Sequence, residues 1–273
     1  MVCDKKVIFC STVFKNENFL HKSFDNIKIL SQLFSKVKIL ICYDYSGDKS
    51  LLELSQLKKE GFDIDIIINK KPRFIDNIGR AYNIGQARNQ ILDHIYNEGY
   101  DTNSKDDLSS YDYFIMCDLD DVFNFKVNPE ILDKYLHRSN EWDSLSFHNE
   151  GFYDSWSVSI DHLQHSSWMP TDKEYYPTWA KQFNIKNYLQ KIVSQMETDI
   201  RPIDSYFNGF CIHKIDKFKD IRYYPATMVD EELIIDCEHR SFYKGANKKG
   251  LKVMFSKDCL FDEMININLL NEK

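Results

Sequence analysis

The chain has 273 residues, 43% of them hydrophobic and 28% charged, which is enough for one large α/β domain of ordinary globular composition. A net charge of -7 argues against a nucleic-acid-binding surface, and no apolar run has the length of a signal sequence or a membrane helix. The seven cysteines are odd in number and lack Cys-x-x-Cys spacing, which indicates buried thiols in a reducing compartment. We therefore expect a cytoplasmic protein with no nucleic-acid partner and no transmembrane segment.

The first half of the sequence alternates short apolar runs with helical patterns. The apolar runs predict strands over 7–10, 37–42, 62–68 and 113–117. Apolar residues spaced by three and four predict helices over 20–34, 51–57 and about 79–96. This alternation predicts a parallel sheet with right-handed crossovers, and such sheets bind ligands beyond the carboxyl ends of their strands. The predicted ends are Ser11-Thr12, Tyr43-Asp44, Asn69 and Asp118-Leu119-Asp120.

The second half of the sequence is less regular. Further strands are predicted over 142–148, 206–213 and 251–255, and helices over 185–196 and 238–249. The stretch 151–176 is rich in Ser, Trp and Tyr and predicts loops and short strands. Because no repeat or linker is present, we expect residues 1–273 to form a single domain with two functional halves, about 1–125 and about 126–273.

The strongest chemical signal is the acidic run Asp118-Leu119-Asp120-Asp121, which directly follows the predicted strand 113–117. Carboxylates at the end of a buried strand raise each other's pKa unless a cation offsets their charge. Mn²⁺ or Mg²⁺ prefers such hard oxygen ligands, and phosphate oxygens complete its shell. A polar turn or helix cap is the competing interpretation, and the preceding strand favours the metal site.

Two arginines lie on the helix that precedes this strand. Arg80, Ile84 and Arg88 are spaced by four, so both arginines project from about the same helix face. A guanidinium here is suited to pair with Asp118 or to bind a phosphate as a planar fork. A surface salt bridge is the alternative for either arginine alone.

The order of these features resembles the nucleotide-binding half of glycosyltransferases with the GT-A fold. The resemblance is carried by Tyr43-Asp44-Tyr45-Ser46-Gly47-Asp48, by Ala87-Arg88-Asn89, and by the strand that runs into the acidic run. It implies an α/β fold of GT-A type, with a Rossmann-type mixed sheet flanked by helices. A G-x-G-x-x-G sequence does not follow the first strand, which disfavours the dinucleotide-binding version of this architecture.

The resemblance also implies roles for individual residues. Asp44 would hold the nucleobase, and Arg88 would lie beneath the donor. Asp118 would approach the ribose or the metal, and Asp120 would ligate the Mn²⁺ or Mg²⁺ ion that bridges the two phosphates. The implied activity is transfer of a sugar from a nucleotide-sugar donor, preferably a UDP-sugar and alternatively a GDP-sugar, to a glycan or other hydroxyl acceptor.

Two later motifs extend the resemblance to about residue 256. Phe207-Asn208-Gly209-Phe210-Cys211-Ile212 resembles the strand that borders the donor sugar, and Cys237-Glu238-His239 resembles the acidic start of the helix near the acceptor. The usual motif ends in an Asp that deprotonates the acceptor, whereas this chain has His239. We therefore expect Glu238 or His239 to be the catalytic base, with His239 also a candidate metal ligand beside Asp118 and Asp120. A helix-capping or packing role is the alternative for His239.

The expected donor site is larger than the acidic run. It comprises Thr12, Asp44, Arg80, Arg88, Asp118, Leu119, Asn208 and Gly209. The aromatic side chains of the irregular stretch are expected to pack in the core or in a lid, and one of them is a candidate for stacking on a sugar. They are Trp156, Trp168, Trp179 and the pair Tyr175-Tyr176.

Three other functions remain open from the sequence. Asp118-x-Asp120-x-Val122 after an apolar strand also fits a haloacid-dehalogenase-type phosphatase, although that nucleophile normally opens its domain. A catalytically silent nucleotide-sugar or glycan-binding module is the second alternative, and the intact acidic run argues against it. A sugar-1-phosphate nucleotidyltransferase is disfavoured because no Gly-rich, Arg-containing loop follows the first strand.

Overall fold

The computed structural model describes residues 3–69, 77–97, 106–149, 154–159, 178–229 and 232–262. These residues form an eight-stranded central sheet and a separate two-stranded hairpin, together with helices. The strands are β1 (Cys3–Val13), β2 (Phe34–Tyr43), β3 (Ile64–Ile68), β4 (Tyr113–Cys117), β5 (Ser144–His148), β6 (Ile200–Pro202), β7 (Phe210–Lys214), β8 (Ala226–Val229), β9 (Glu232–Ile235) and β10 (Val253–Cys259). The α-helices are α1 (Leu20–Ser31), α2 (Ser50–Lys59), α3 (Asn77–Ile95), α4 (Pro129–Leu136), α5 (Thr178–Gln195), α6 (Ile215–Phe218) and α7 (Glu238–Lys248).

The central sheet is mixed, in the order β3-β2-β1-β4-β7-β5-β10-β6. Strands β1 to β4 are parallel, as the alternation of strands and helices predicts. Strand β7 is antiparallel to β4 on one side and to β5 on the other, so β4 and β5 run in the same direction. The carboxyl ends of β1 to β5 therefore meet at one edge of the sheet, whereas β7 runs in the opposite direction. Both halves of the chain contribute strands to this sheet.

The sheet is buried on both faces. Alternate residues of β1 belong to two different apolar clusters, with Ile8 and Cys10 on one face and Val7 and Phe9 on the other. Helices α3, α5 and α7 contribute to the first cluster, and α1, α2 and α4 to the second. The predicted flanking of a mixed sheet by helices is confirmed.

The ends of several elements differ from the sequence expectation. Strand β1 extends well beyond 7–10, because its backbone pairs with β2 from Cys3 to Val13 and this pairing needs no apolar side chains. Helix α4 was not expected, although Asn128 caps it by accepting from the Glu130 N–H and Pro129 occupies its first turn. The hairpin β8–β9 was not expected either, and α5 begins at Thr178 instead of residue 185.

The structure also bears on the expectations about membrane helices and cysteines. Within the described residues, no helix combines the length and the apolarity needed to cross a membrane. The six cysteines with described side chains form no disulfide with one another, and five of them are buried.

Candidate functional site

A cavity of about 590 Å³ opens at the edge of the sheet where the parallel strands end. Its walls come from the loops after β1, β2 and β4, one face of α3, a turn after β5 and the first residues of α7. The lining residues are Thr12, Val13, Phe14, Lys15, Asn16, Phe19, Asp44, Arg80, Ala81, Asn83, Ile84, Ala87, Arg88, Asp118, Leu119, Asp120, Asp154, Trp156, Cys237, Glu238 and His239. All predicted site residues except Asn208 and Gly209 are among them.

The acidic run forms a tight turn at the end of β4. Oδ1 of Asp120 accepts from the Val122 N–H at 3.1 Å and caps a short 3-10 helix, Asp121–Asn124. Leu119 borders the cavity but is almost wholly buried in the core. Burial raises the pKa of Asp120 to about 7, and the charges of Asp118 and Asp121 add to the shift. A carboxylate in this position is costly to ionise unless a cation offsets its charge.

Gly209 supports this turn from behind. Its carbonyl accepts from the Asp118 N–H at 3.0 Å, and its φ of +80° lies in the left-handed region. A Cβ on Gly209 would lie 2.5 Å from Cγ1 of Val122. Gly209 therefore allows the segment before β7 to pack directly against the acidic turn. Gly209 itself does not line the cavity.

Arg88 joins two carboxylates that come from distant parts of the chain. Its Nη2 donates to Oδ1 of Asp118 at 2.9 Å, and its Nη1 donates to Oε1 of Glu238. The guanidinium also lies over the rings of Phe207 and Tyr223, at 5.1 and 5.7 Å from their centroids. Burial alone would lower the pKa of Arg88, but Glu238 and Asp118 outweigh it and raise that pKa. The guanidinium thus stays charged in a buried position.

The carboxylate of Glu238 is almost fully buried at the first position of α7. Burial raises the pKa of Glu238, and its ion pair with Arg88 opposes that shift. Sequence reasoning predicted both Arg88 and Glu238 as site residues without predicting that they pair with each other. Only the fold brings residues 150 positions apart into contact.

The ring of His239 is packed among aromatic side chains. It stacks on Phe207 with centroids 3.7 Å apart, and it meets Tyr223 edge-on at 5.5 Å. Burial lowers the pKa of His239 well below its ordinary value, and Arg88 adds to the effect, so the imidazole is neutral. Nε2 of His239 is 3.9 Å from Oε1 of Glu238. Over the described ranges, no group of three or more His, Cys, Asp or Glu side chains converges to hold a metal ion.

A chain of amides orients Asp44 at the end of β2. Nδ2 of Asn69 donates to Oδ1 of Asp44, and Nε2 of Gln90 donates to Oδ1 of Asn69 at 2.8 Å. Asn69 directly follows β3, the next strand in the sheet, and its N–H donates to the Tyr43 carbonyl at 2.9 Å. The position of Asn69 at a strand end was predicted, whereas its bond to Asp44 was not.

Asn16 is a buried residue that sequence reasoning missed. Its Oδ1 accepts from the Phe14 N–H and its Nδ2 donates to the Leu119 carbonyl, both at 2.8 Å. Its own N–H donates to Oγ of Ser50 at 2.9 Å. Asn16 therefore ties the loop after β1 to the acidic turn and to the start of α2. An Asn in a polar loop carries no sequence signal for such contacts.

Asp154 is another lining residue that was missed, and it lies in a turn after β5. Its Oδ1 accepts from the N–H groups of Trp156 and Ser157 at 3.0 and 3.2 Å, which caps the short 3-10 helix Ser155–Ser157. Burial raises the pKa of Asp154 to about 7, and the charges of Glu238 and Asp118 contribute. The Asp-x-x-Ser pattern was a usable cap signal, but it did not reveal that this turn lines the cavity.

Two of the predicted residues, Asn208 and Trp156, contact this turn or belong to it. The side-chain Oδ1 of Asn208 accepts from the Asp154 N–H at 3.3 Å, so Asn208 anchors the turn from the segment before β7. Trp156 lines the cavity and stays a candidate for stacking on a sugar. The other aromatic candidates, Trp168, Tyr175, Tyr176 and the side chain of Trp179, lie outside the described residues.

No protein-family model matches the chain, and no curated protein matches it in sequence. Solved structures do match it. Residues 1-349 of S. aureus TarS in complex with UDP share 13% identity at a TM-score of 0.51, over 94% of this chain and 59% of that one. The mannosyltransferase PcManGT from Pyrobaculum calidifontis, in complex with GDP-Man and Mn²⁺, shares 8% identity at a TM-score of 0.52, over 94% and 56%.

The chain thus spans less than two thirds of the length of these solved structures. At such low identities the similarity concerns the fold alone. The chain has a GT-A-type fold, as the resemblance in the sequence implied.

Proposed function

We propose that the protein is a metal-dependent glycosyltransferase that transfers a sugar from a nucleotide-sugar donor to a hydroxyl group of a glycan or other acceptor. One observation carries the proposal. In a GT-A-type fold, a single cavity at the carboxyl edge of the sheet gathers Asp44, Arg88, Asp118, Asp120 and Glu238. Fold similarity to proteins bound to UDP and to GDP-Man with Mn²⁺ supports it by analogy.

The donor would bind along the ends of β1, β2 and β4. A carboxylate at Asp44 accepts hydrogen bonds from the ring N–H groups of uracil or guanine, and we favour UDP over GDP. Thr12 and the backbone of Leu119 would contact the donor, and exposed Arg80 is suited to its diphosphate. Asn208 and Gly209 would act indirectly, through the turns that they support.

The residues at the acidic turn fit a divalent cation. Asp118 and Asp120 offer hard carboxylate oxygens, and burial together with like charge makes an ionised Asp120 costly without a cation. Mn²⁺ or Mg²⁺ held there would neutralise charge on the leaving diphosphate. Phosphate oxygens would complete the shell, and His239 stays a predicted additional ligand. Arg88 would keep Asp118 in place through their ion pair.

The proposal is tested by nucleotide-sugar binding and turnover. Melting temperatures are measured with UDP-glucose, UDP-N-acetylglucosamine and GDP-mannose, each with and without Mn²⁺, because a ligand of the folded state raises the melting temperature. We expect a metal-dependent increase with at least one donor, followed by release of the nucleoside diphosphate. Asp120→Ala should abolish both, whereas Asp25→Ala, on the exposed face of α1, should change neither.

Two results would overturn the proposal. If no nucleotide sugar stabilises the protein, the donor assignment fails. If Asp120→Ala retains metal-dependent turnover, the metal site lies elsewhere. Binding without turnover across a broad acceptor panel would instead favour the catalytically silent binding module.

A further inference from the structure

Five carboxylates line the cavity, and four of them already have a partner or an assigned role. Asp44 is held by Asn69, and Asp118 and Glu238 share the guanidinium of Arg88. Asp120 caps the acidic turn and is the assigned cation ligand. The fifth carboxylate, Asp154, forms no ion pair with any lysine, arginine or histidine among the described residues. The donor and metal sites proposed above therefore give Asp154 no role.

The side chain of Asp154 is fixed through one oxygen only. Oδ1 accepts two backbone N–H bonds, from Trp156 and Ser157, whereas Oδ2 forms no hydrogen bond within the described part of the chain. Because the residue lines the cavity, a carboxylate oxygen is held in a fixed orientation next to the space that a substrate would fill. The neighbouring Trp156 lines the same wall and offers an aromatic surface to a sugar ring.

The turn that carries Asp154 is rigidly attached to the segment before β7. Oγ of Ser157 donates to the Phe207 carbonyl at 2.6 Å, and Oγ of Ser205 donates to the Ser157 carbonyl at 2.6 Å. The Asp154 N–H is bonded to Asn208, as described above. A group that must meet a reacting hydroxyl within hydrogen-bond reach benefits from such support.

The two residues that sequence reasoning offered as the base are less well suited to accept a proton. Protonation of Glu238 would remove its buried ion pair with Arg88, which is costly. The ring of His239 is stacked on Phe207, and burial lowers the pKa of His239, which makes it a weak proton acceptor. Burial and nearby carboxylates act on Asp154 in the opposite direction and strengthen it as a base.

We propose that Asp154 is the general base that removes the proton from the attacking acceptor hydroxyl, an inference that rests on the proposed glycosyl transfer. The hydroxyl oxygen forms a bond to the anomeric carbon of the donor while its proton passes to Oδ2 of Asp154. The bond between the anomeric carbon and the diphosphate oxygen breaks, and its electron pair leaves with the nucleoside diphosphate. Glu238 then acts as a positioning residue through Arg88.

The test compares water, a nucleophile that must lose a proton, with azide, which has no proton to lose. Asp154→Asn retains an oxygen that accepts both N–H bonds of the turn, so the cap is preserved while the base is removed. Asp25→Asn provides the same substitution on an exposed helix face. Each variant is given Mn²⁺ and the nucleotide sugar that stabilises the wild type most. Release of the nucleoside diphosphate is measured with water as nucleophile, and glycosyl azide formation with sodium azide, an anion with no proton to remove.

For Asp154→Asn we expect unchanged donor affinity and a loss on the order of 10²- to 10⁴-fold in the reaction with water. The rate of glycosyl azide formation should stay within a fewfold of wild type. Equal losses with water and azide would overturn the proposal, because they indicate a structural role. Water turnover within about threefold of wild type would also overturn it. If the wild type binds no nucleotide sugar, the proposed function itself falls, and the assignment of Asp154 falls with it.

Discussion

The two ends of the cavity are built in different ways. The end formed by β1, β2 and β4 presents side chains directly after parallel strands, and neighbouring side chains hold them, as Asn69 holds Asp44. The other end is formed by the turn Asp154–Ser157, which is bonded to the segment before β7, and by the start of α7, which is paired with Arg88. The side chains of the first region are therefore placed by strand ends, whereas those of the second are placed only by contacts between distant segments.

Arg88 connects the two regions, so its removal should have the largest effect. Arg88→Met leaves the half-buried Asp118 and the buried Glu238 without their shared cation, and breaking the buried pair with Glu238 costs about 3–5 kcal/mol. Urea unfolding should report a loss of that size together with loss of donor turnover. Arg88→Lys keeps the charge but not the planar fork, and we expect an intermediate loss.

A double-variant cycle shows whether the ion pair between Arg88 and Glu238 is responsible for the loss of stability. In Arg88→Met with Glu238→Gln, the second substitution removes one of the stranded charges, so the double variant should be more stable than the sum of the single losses implies. Additive losses, or a cost of Arg88→Met below about 1 kcal/mol, would contradict a shared buried ion pair across the two regions.

Gly209 tests how the second region supports the first. Gly209→Ala places a methyl group against Val122 and requires a left-handed backbone, which costs roughly 1–2 kcal/mol for the backbone and a further 1–3 kcal/mol for the clash. Gly250→Ala is a matched control, because its φ of +70° is similar and nothing lies within 4 Å of the added atom. The difference in urea stability between the two variants isolates the clash.

The clash should also affect function. Because Val122 belongs to the turn that Asp120 caps, Gly209→Ala should weaken the Mn²⁺-dependent binding of UDP, and adding Val122→Ala should partly restore it. Equal stability and equal UDP affinity in Gly209→Ala and Gly250→Ala would show that the acidic turn does not depend on this packing.

The contrast between the two regions of the cavity also explains which features could be predicted from the sequence. The four parallel strands and the acidic run were predicted, because apolar runs followed by polar residues indicate strands and the positions of their ends. Asp44 was predicted at such a strand end and Arg88 from its spacing on a helix, whereas the GT-A resemblance implied their roles toward a donor. Asp154 and the bond between Arg88 and Glu238 were not predicted. Their partners lie far away in the chain, and no local pattern encodes which loop meets which. The GT-A resemblance supplied Glu238 and His239 as candidates without their contacts.

Asn16 offers a smaller test, confined to the first region. Asn16→Ala removes its bonds to Phe14 and Leu119 and leaves buried groups unpaired, at a cost of roughly 1–3 kcal/mol. Asn128→Ala is a control, since it removes the cap of α4, a helix that contributes no residue to the cavity lining. Both variants should lose stability in urea, and only Asn16→Ala should lose UDP affinity in calorimetry. Similar UDP affinities in both would mean that Asn16 serves folding alone.

The smallest expected effect concerns the orientation of Asp44. Asn69→Ala removes one hydrogen bond to this carboxylate, and a single bond contributes about 1 kcal/mol, so Kd for UDP should rise about fivefold. Gln90→Leu acts one step further along the chain of amides, through Asn69, and should raise Kd by less. Calorimetric titration with UDP measures both. If Gln90→Leu weakens UDP binding as much as Asn69→Ala does, the orientation of Asp44 depends on the packing of α3 against the strand ends. Local hydrogen bonding would then not suffice to specify the first region.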